Sequence, residues 1–486
     1  MNDAVAGPEA SAPLSRAEIR TVLFGVLLAM LLAALDQTII ATALPTIGRD
    51  LGDFENLSWL VTAYLLTSTA VTPLYGKFSD IHGRRLALLI GISTFVAGSV
   101  ACALAPNMIA LILARAVQGL GGGGLIALAQ TILADMVSPR ERPRYQGYFA
   151  VVFLTASLAG PVLGGFFAEH LHWTIIFWIN VPLGALAFFM CNSKLKRLPA
   201  HHRPHKHDLL GAVLMVAGTG CFLLALSWSG PRFGWGSAES LGLLASASIL
   251  IALFVWRLRA APEPLIPPTV FGNPVVRMGT LSAMFGMGTY IGLTVFLPVY
   301  FEAVRGFSAS ESGLALIPLM AGTVVGATAS GRVMAWVKHY KRIPVCGLAA
   351  AICGTGVLVV FADSLSLLQL EIVLALISVG LGTIFPVSTV AIQNAVAMHE
   401  LGTATGTANF ARSLGGAIIV AVFGAIVVAG AGAGHEGSIE NLTDIAARNG
   451  IDLGLVLRRL FAAALVGFGL ALAFLLAMEE RPLRSR

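Results

Sequence analysis

Fourteen mainly apolar stretches follow one another along the chain, and they constrain its fold more than any other feature. They cover residues 20–44, 57–76, 86–105, 107–134, 146–168, 174–192, 208–228, 239–257, 275–303, 312–336, 343–362, 369–395, 404–431 and 457–478. A stretch of about 20 such residues forms a helix that crosses the hydrocarbon core of a bilayer. Only 12% of the 486 residues are charged, against about 25% in soluble proteins. The sequence therefore excludes a soluble globule.

The apolar stretches lack the alternating pattern of strands in a membrane barrel. They predict an all-α integral membrane protein with 14 transmembrane helices.

The basic residues predict the orientation of these helices. If 14 helices alternate, the side of the N-terminus holds Arg16, Arg20, Lys77, Arg84, Arg85, Arg140, Arg142, Arg144, the stretch 194–206, Arg257, Arg259, Arg277, Lys338, Lys341, Arg342, Arg481, Arg484 and Arg486. The opposite side holds only Arg49, Arg232, Arg305, Arg448, Arg458 and Arg459. The positive-inside rule then places both termini in the cytoplasm. The net charge of +6 is thus a signal of topology, and no nucleic-acid partner is expected.

No cleaved signal peptide is expected, because the first 19 residues are mostly polar or small and no cleavage site follows the first helix. The five cysteines are scattered through helices without a CxxC pair, which indicates packing residues and no disulfide framework.

Two polar, proline-containing stretches divide the chain. Residues 194–207 (KLKRLPAHHRPHKH) and 259–268 (RAAPEPLIPP) leave six helices before, two between and six after. We expect an N-terminal six-helix bundle in residues 1–200, two inserted helices in 201–262 and a C-terminal six-helix bundle in 263–486.

A weak internal repeat supports the two bundles. GKFSDIHGRR (76–85) follows the second helix, and GRVMAWVKHY (331–340) closes the tenth. Gly76 and Gly331 align and a basic residue follows each, whereas Ala335 stands in place of Asp80. Many secondary transporters are built from such paired halves, with the binding site between them at the membrane midplane.

The first copy of this repeat carries two residues suited to a tight loop. Gly83 can supply the turn geometry, and Asp80 can cap a helix or pair with Lys77, Arg84 or Arg85. Two interpretations remain open: an ordinary charged cytoplasmic loop, or a conformational latch between neighbouring helices.

Several motifs together resemble the major facilitator superfamily. They are LDQTIIATALP (35–45), GKFSDIHGRR (76–85), LARAVQGLGGG (113–123) and AGPVLGG (159–165). The helix count, with HWTIIFWINVPLG (172–184) and AIQNAVAMHELGTATGTANFARSLGGA (391–417), resembles the drug:proton antiporter branch. The chain departs from that branch at Thr174, where Arg is usual, and at Glu302, where Gln is usual. The resemblance implies proton-coupled export of drug-like, cationic or lipophilic compounds from the cell membrane by alternating access.

Two charged residues lie within the predicted membrane helices of the first bundle. A charge at bilayer depth costs at least about 2.5–3.5 kcal/mol, so it pairs or faces a wet cavity. Asp36 lies about eight residues from the outer end of helix 1 and Arg115 about eight from that of helix 4, so both are about 12 Å deep. We expect a direct pair, or one bridged by Gln118 or water. It could serve proton coupling and substrate binding, or it could be a static brace.

Glycine-rich stretches in helices 4 and 5 allow two interpretations. The run 119–124 and AGPVLGG, with Gly160, Pro161, Gly164 and Gly165, can allow close helix packing or act as a hinge. The family resemblance assigns the hinge role to the second stretch.

Two further charges are predicted in the C-terminal bundle. Arg412, with Asn409 one turn earlier, could contact backbone carbonyls as a structural brace. Alternatively, it could bind an anionic substrate group or act as part of a gate. Glu302 could pair with Arg305 at the surface, or face the outer mouth of the cavity and favour cations.

The sequence thus predicts a transporter and not an enzyme. This transporter would lie in membrane lipid and exchange small-molecule substrates for protons. The alternative is a dedicated exporter or importer of one metabolite. No cofactor is expected, and no metal, because interleaved Arg and Lys would repel a cation from the histidines of HHRPHKH (201–207). An outer-envelope partner remains open.

Overall fold

The computed structural model of the protein describes residues 16–53, 56–195, 208–229, 233–431, 449 and 451–484. All 14 predicted stretches are helical in the part of the chain that it describes. The histidine-rich stretch 201–207 lies outside the described residues.

The first predicted bundle contains seven helices, because one predicted helix is divided in two. They are α1 (Arg16–Leu51), α2 (Trp59–His82), α3 (Arg84–Ala103), α4 (Met108–Met136), α5 (Arg142–His170), α6 (Ile175–Trp178) and α7 (Asn180–Lys194). We call these helices the first bundle.

The inserted pair and the second half supply the remaining α-helices of the described residues. The pair is α8 (Leu209–Trp228) and α9 (Ala238–Ala260), followed by a short α10 (Pro268–Gly272). The remaining helices, which we call the second bundle, are α11 (Pro274–Ala303), α12 (Ala309–Ala315), α13 (Ile317–Met334), α14 (Arg342–Phe361), α15 (Leu367–Gly382), α16 (Ile384–Ala395), α17 (Leu401–Gly430) and α18 (Leu453–Ala477).

Proline explains why three predicted helices are interrupted. Pro182, Pro318 and Pro386 each lie in the first turn after the interruption, in α7, α13 and α16. Proline has no backbone N–H to donate to the preceding turn, and it is tolerated where a helix begins. Each helix therefore ends and restarts at the proline.

Thirteen spans in the described ranges are long and apolar enough to cross a membrane. The predicted second span forms α2, a 24-residue helix that is not one of these thirteen. It is rich in Ser, Thr and Tyr, and several of these side chains, including Tyr64, Ser68 and Thr72, are buried against other helices.

The buried apolar side chains form separate clusters for the two bundles. The largest cluster lies almost entirely after residue 265, and two others lie before residue 196. Val22 at the start of α1 shares an apolar cluster with Val137 and Leu195, which follow α4 and α7. Tyr340, which follows α13, donates to the Arg481 carbonyl beyond the end of α18. We call the end of the molecule with these contacts the terminal side.

Candidate functional site

Asp36 on α1 and Arg115 on α4 form a salt bridge inside the first bundle. The distance from Arg115 Nη1 to Asp36 Oδ2 is 2.5 Å, and each residue is only 1% exposed. The structure thus brings together the two charges that the sequence singled out.

Gln118 lies between the two charges and contacts both. Its Nε2 donates to Asp36 Oδ1 at 2.7 Å and its Oε1 accepts from Arg115 Nη1 at 2.7 Å. Gln118 Nε2 also lies 2.7 Å from Ser99 Oγ on α3, and Asn180 Nδ2 on α7 lies 3.2 Å from the same oxygen. Four helices therefore contribute side chains to one polar cluster, which we call the buried cluster.

The Arg115 guanidinium makes two further contacts. Its Nε donates to the carbonyl of Leu60 on α2 at 3.0 Å, and its Cζ lies 4.5 Å from the centre of the Tyr64 ring. A cation over an aromatic face is stabilised by the ring quadrupole. Because a lone charge at this depth would be costly, these contacts help to offset the burial of the Arg115 guanidinium.

Ser99 and Asn180 were missed by the sequence analysis. Asn180 has a signal in the sequence, since it is the one amide within FWINVPLG. Ser99 lies in a stretch of small residues, and nothing in its neighbours distinguishes it from a packing residue.

Glycines let α4 approach its neighbours closely enough to build the cluster. A Cβ on Gly98 would lie 2.5 Å from the Gln118 backbone, and a Cβ on Gly123 would lie 2.1 Å from the Ser68 carbonyl oxygen. Such distances leave no room for a larger residue, as expected where membrane helices pack through small side chains.

The motif AGPVLGG brings α5 against α1 in the same way. A Cβ on Gly160 would lie 2.0 Å from Thr38 Oγ1, and one on Gly164 would lie 2.1 Å from the Ile39 carbonyl oxygen. Thr38 Oγ1 donates to the Ala156 carbonyl at 2.7 Å, which fixes the same contact. Gly165 has open space, and Pro161 is exposed. These positions support close packing, and a hinge in this motif stays a prediction.

Gly164→Ala tests this close approach. The new methyl group would force α1 and α5 apart next to Asp36, so we expect a lower thermal stability and reduced transport. Gly165→Ala is the matched control, because nothing lies within 4 Å of its added Cβ. Equal melting temperatures for the two variants would contradict the packing role of Gly164.

On the terminal side, Asp80 connects the first bundle to the second. Its carboxylate accepts from the backbone N–H groups of Gly402 at 2.9 Å and Thr403 at 2.7 Å, and from Thr403 Oγ1 at 2.7 Å. These N–H groups belong to the first turn of α17, where a helix leaves its donors unpaired and favours a negative charge. Asp80 therefore caps a helix of the opposite bundle.

Only one of the predicted basic partners of Asp80 contacts it. Arg84 Nη1 lies 2.5 Å from Asp80, and Arg84 Nε lies 2.7 Å from Asp135 at the end of α4. Arg85 instead donates to Asn192 on α7, so Arg84 is the member of the basic cluster that pairs with Asp80. Asp135 was not predicted.

Gly83 connects α2 to α3 with a φ of 90°. Glycine adopts this conformation without the steric cost that a Cβ imposes. The chain can therefore reverse direction in a single residue and bring Arg84 back to Asp80.

The aligned glycines of the internal repeat make equivalent contacts between the bundles. A Cβ on Gly76 would lie 2.4 Å from the Gly402 carbonyl oxygen, and one on Gly331 would lie 2.2 Å from the Pro143 carbonyl oxygen. Each glycine thus packs on the first turn of a helix in the opposite bundle, α17 or α5. The two bundles are closed against each other on the terminal side.

A third set of contacts joins the bundles one or two turns deeper. Asn409 Nδ2 donates to Gln130 Oε1 at 2.8 Å, and Gln393 Nε2 lies 3.3 Å from the Gln130 carbonyl oxygen. Asn409, predicted to act with Arg412, therefore contacts the first bundle instead.

Arg412 lies in the second bundle without an acidic partner among the described residues. Its Nη2 donates to Thr389 Oγ1 at 3.2 Å, its Cζ lies 4.9 Å from the centre of the Phe385 ring, and its buried Nε has no hydrogen-bond partner. The predicted contact with backbone carbonyls is not found. A bound anion could satisfy this free donor.

The predicted surface pair of Glu302 and Arg305 is wrong. The guanidinium of Arg305 donates to the carbonyls of Ala362 and Leu365 between α14 and α15. Those carbonyls follow the end of α14, where a cation is favoured. Arg305 therefore binds them and does not pair with the carboxylate of Glu302. Glu302 is exposed.

The described His, Cys, Asp and Glu residues form no group suited to a metal ion, and the five cysteines are free.

Comparison with known proteins identifies the family. Residues 26–420 match the model of the Major Facilitator Superfamily. Multidrug transporter protein MdtP of Bacillus subtilis is 34% identical over 414 residues, which is 85% of this chain and 76% of the relative. Multidrug resistance protein 3 of the same organism is 34% identical over 412 residues, which is 85% of this chain and 80% of the relative.

Solved structures show the same fold. A bacterial homologue of the iron transporter ferroportin in an outward-facing state matches with a TM-score of 0.65 and 14% identity, over 96% of this chain and 100% of that one. The human organic anion transporter MFSD10 matches with a TM-score of 0.61 and 17% identity, over 93% of this chain and 99% of that one. With the family match over residues 26–420 and thirteen membrane-length helices among the described residues, this chain belongs to the major facilitator superfamily, as a multi-pass transporter of the cell membrane and not an enzyme.

Proposed function

We propose that this protein exports drug-like small molecules in exchange for protons, by alternating access between two bundles. The observation that carries the proposal is the buried cluster, in which the carboxylate of Asp36 is wholly enclosed with Arg115 and Gln118. The similarity to a multidrug transporter and a multidrug resistance protein supports the substrate class. Among the described residues, the hydrogen-bond partners of Asp36 all belong to the first bundle, so its proposed role is to carry the proton.

Protonation of Asp36 changes the contacts of four helices at once. A neutral carboxyl group no longer attracts Arg115 as a charge, and one of its oxygens becomes a donor. Arg115 is bound to the α2 backbone at Leu60, and α2 carries Asp80 at its terminal end. Loss of the ion pair can therefore bias the packing of α2, and with it the contact between the bundles.

The inter-bundle contacts support alternating access. The hydrogen bonds of Asp80 and Gln130 to the second bundle lie toward the terminal side. With both termini in the cytoplasm, this arrangement corresponds to a transporter closed on the inside. We retain residues 1–200, 201–262 and 263–486 as the proposed division into bundle, inserted pair and bundle.

Inverted membrane vesicles test this function. We expect an imposed pH gradient to drive uptake of several structurally unrelated cationic and lipophilic dyes, and collapse of the gradient to stop it. Transport of a single compound would favour the dedicated metabolite carrier. Uptake that is indifferent to the gradient would refute proton coupling.

Arg115→Ala probes the ion pair itself. Without its countercharge the carboxylate takes up a proton more readily, so we expect the pH optimum of dye transport to move to higher pH. Arg49→Ala, which removes an exposed arginine near the end of α1, is the control and should leave the optimum unchanged. Identical pH profiles for wild type and Arg115→Ala would show that the two residues are not coupled.

A further inference from the structure

A groove lined by two arginines lies where the bundles meet on the flank of the molecule. It encloses about 520 Å³ between α5 and α13, and its lining consists of Arg144, Tyr148, Arg332, Val333 and Trp336. Tyr148 is 53% exposed and Trp336 is 81% exposed. The groove therefore opens outward, away from the interior of either bundle.

In the described part of the chain, neither arginine of this groove has an acidic partner. Among the described residues, no carboxylate forms a salt bridge with Arg144 or Arg332, and both side chains are exposed. The arginines come from different bundles, next to the tight contact between Gly331 and Pro143. Two like charges thus face each other across the junction that closes the terminal side.

The equivalent junction between α2 and α17 has a different charge balance. Its groove contains Lys77, which aligns with Arg332 in the internal repeat, but also the acids Asp80, Glu263 and Glu400. In the second copy of the repeat, Ala335 replaces Asp80. The groove at the α2–α17 junction therefore has acidic and basic side chains, whereas the described lining of the α5–α13 groove has only basic charged side chains.

We propose that the groove of Arg144 and Arg332 binds the phosphate of an anionic phospholipid, which closes this junction as Asp80 closes the other. A phosphate diester presents oxygens to two guanidinium groups at once, which is the geometry that arginine favours. Basic pockets between membrane helices on the cytoplasmic side are suited to lipid headgroups.

The position of the groove along the helices fits a lipid better than a soluble anion. Arg144 lies in the first turn of α5, and Trp336 lies just beyond the end of α13, so both are at the level of the membrane surface. Exposed Trp and Tyr side chains concentrate at that level. The aromatic pair would hold the glycerol and upper acyl region while the arginines bind the phosphate.

Native mass spectrometry of the purified, delipidated protein tests this site. The probe is palmitoyl-oleoyl phosphatidylglycerol, compared with the matching phosphatidylcholine and with inorganic phosphate. We expect the first phosphatidylglycerol to bind more than about tenfold more weakly to Arg144→Gln/Arg332→Gln than to wild type, since each arginine near the surface contributes separately. Phosphatidylcholine should bind weakly, because its ammonium group is repelled.

The matched control is Arg140→Gln/Arg342→Gln, which removes one exposed arginine from the same side of each bundle without altering the groove. It should bind phosphatidylglycerol like wild type. Equal weakening in both double variants, equal binding of the two lipids, or displacement of the lipid by millimolar inorganic phosphate would each overturn the proposal. The measurement uses neither substrate nor pH gradient, so it is independent of the proposed transport function.

A conformational measurement gives a second readout. Spin labels on α5 and α13 near the terminal side should report a larger closed population in phosphatidylglycerol nanodiscs than in phosphatidylcholine nanodiscs. Arg144→Gln/Arg332→Gln should abolish that difference, and the control pair should keep it. Persistence of the difference in the groove variant would show that the lipid acts elsewhere.

Discussion

Asp36→Asn is expected to abolish transport driven by a pH gradient, because asparagine has the shape of the carboxylate but cannot carry a proton in the exchange. Downhill equilibration of the same dye should persist, since the bundles can still move. The measurement is dye flux in proteoliposomes with and without a gradient. Asp50→Asn, at the exposed end of α1, is the control and should behave like wild type.

The fold of Asp36→Asn needs its own test, because the substitution leaves Arg115 charged and buried. Removing one partner of a buried ion pair costs about 3–5 kcal/mol. Gln118 Oε1 and the Leu60 carbonyl still accept from Arg115, which should keep the loss toward the lower value. Asp36→Asn/Arg115→Gln removes both charges and should recover stability without recovering gradient-driven transport. Wild-type gradient dependence in a well-folded variant would refute the role of Asp36.

Asp80→Asn is expected to shift the bundles toward opening on the terminal side. The carboxylate accepts from two N–H groups at the start of α17 and from Arg84, and an amide loses the charge that strengthens these bonds. A loss of about 1.4 kcal/mol changes the open-to-closed ratio about tenfold. We expect slower transport with little change in the substrate concentration for half-maximal rate.

Distances between spin labels on α2 and α17 measure this shift directly. Glu141→Gln removes an exposed acid from the same side and should leave the distances unchanged. A collapse of apparent substrate affinity with unaltered distances would show that Asp80 serves the binding site and is not a latch.

Much of the fold follows from local features of the sequence. Fourteen apolar stretches predicted the helices because lipid leaves a backbone no other partner for its N–H and C=O groups. The depth of Asp36 and Arg115 along helices that run in opposite directions predicted their pairing, because unpaired charges are costly there. The proline interruptions could also have been read, since Pro182, Pro318 and Pro386 are visible in the sequence.

The tertiary structure decided which of several partners each polar group contacts. Asp80 had three basic neighbours in the sequence, yet it contacts only Arg84 among them and otherwise caps α17, about 320 residues away. Arg305 had Glu302 nearby but contacts carbonyls beyond α14. These choices depend on how helices approach one another, which no local pattern encodes.

The sequence by itself determined a membrane-embedded bundle with a buried acid–base pair, because burial and hydrogen-bonding costs act on each segment separately. Only the tertiary structure decided that the pair is sealed within one bundle, that Asp80 reaches across to the other, and that two arginines are left without acids at the opposite junction. Those features arise from the packing of one half of the molecule against the other, where contacts join residues hundreds of positions apart.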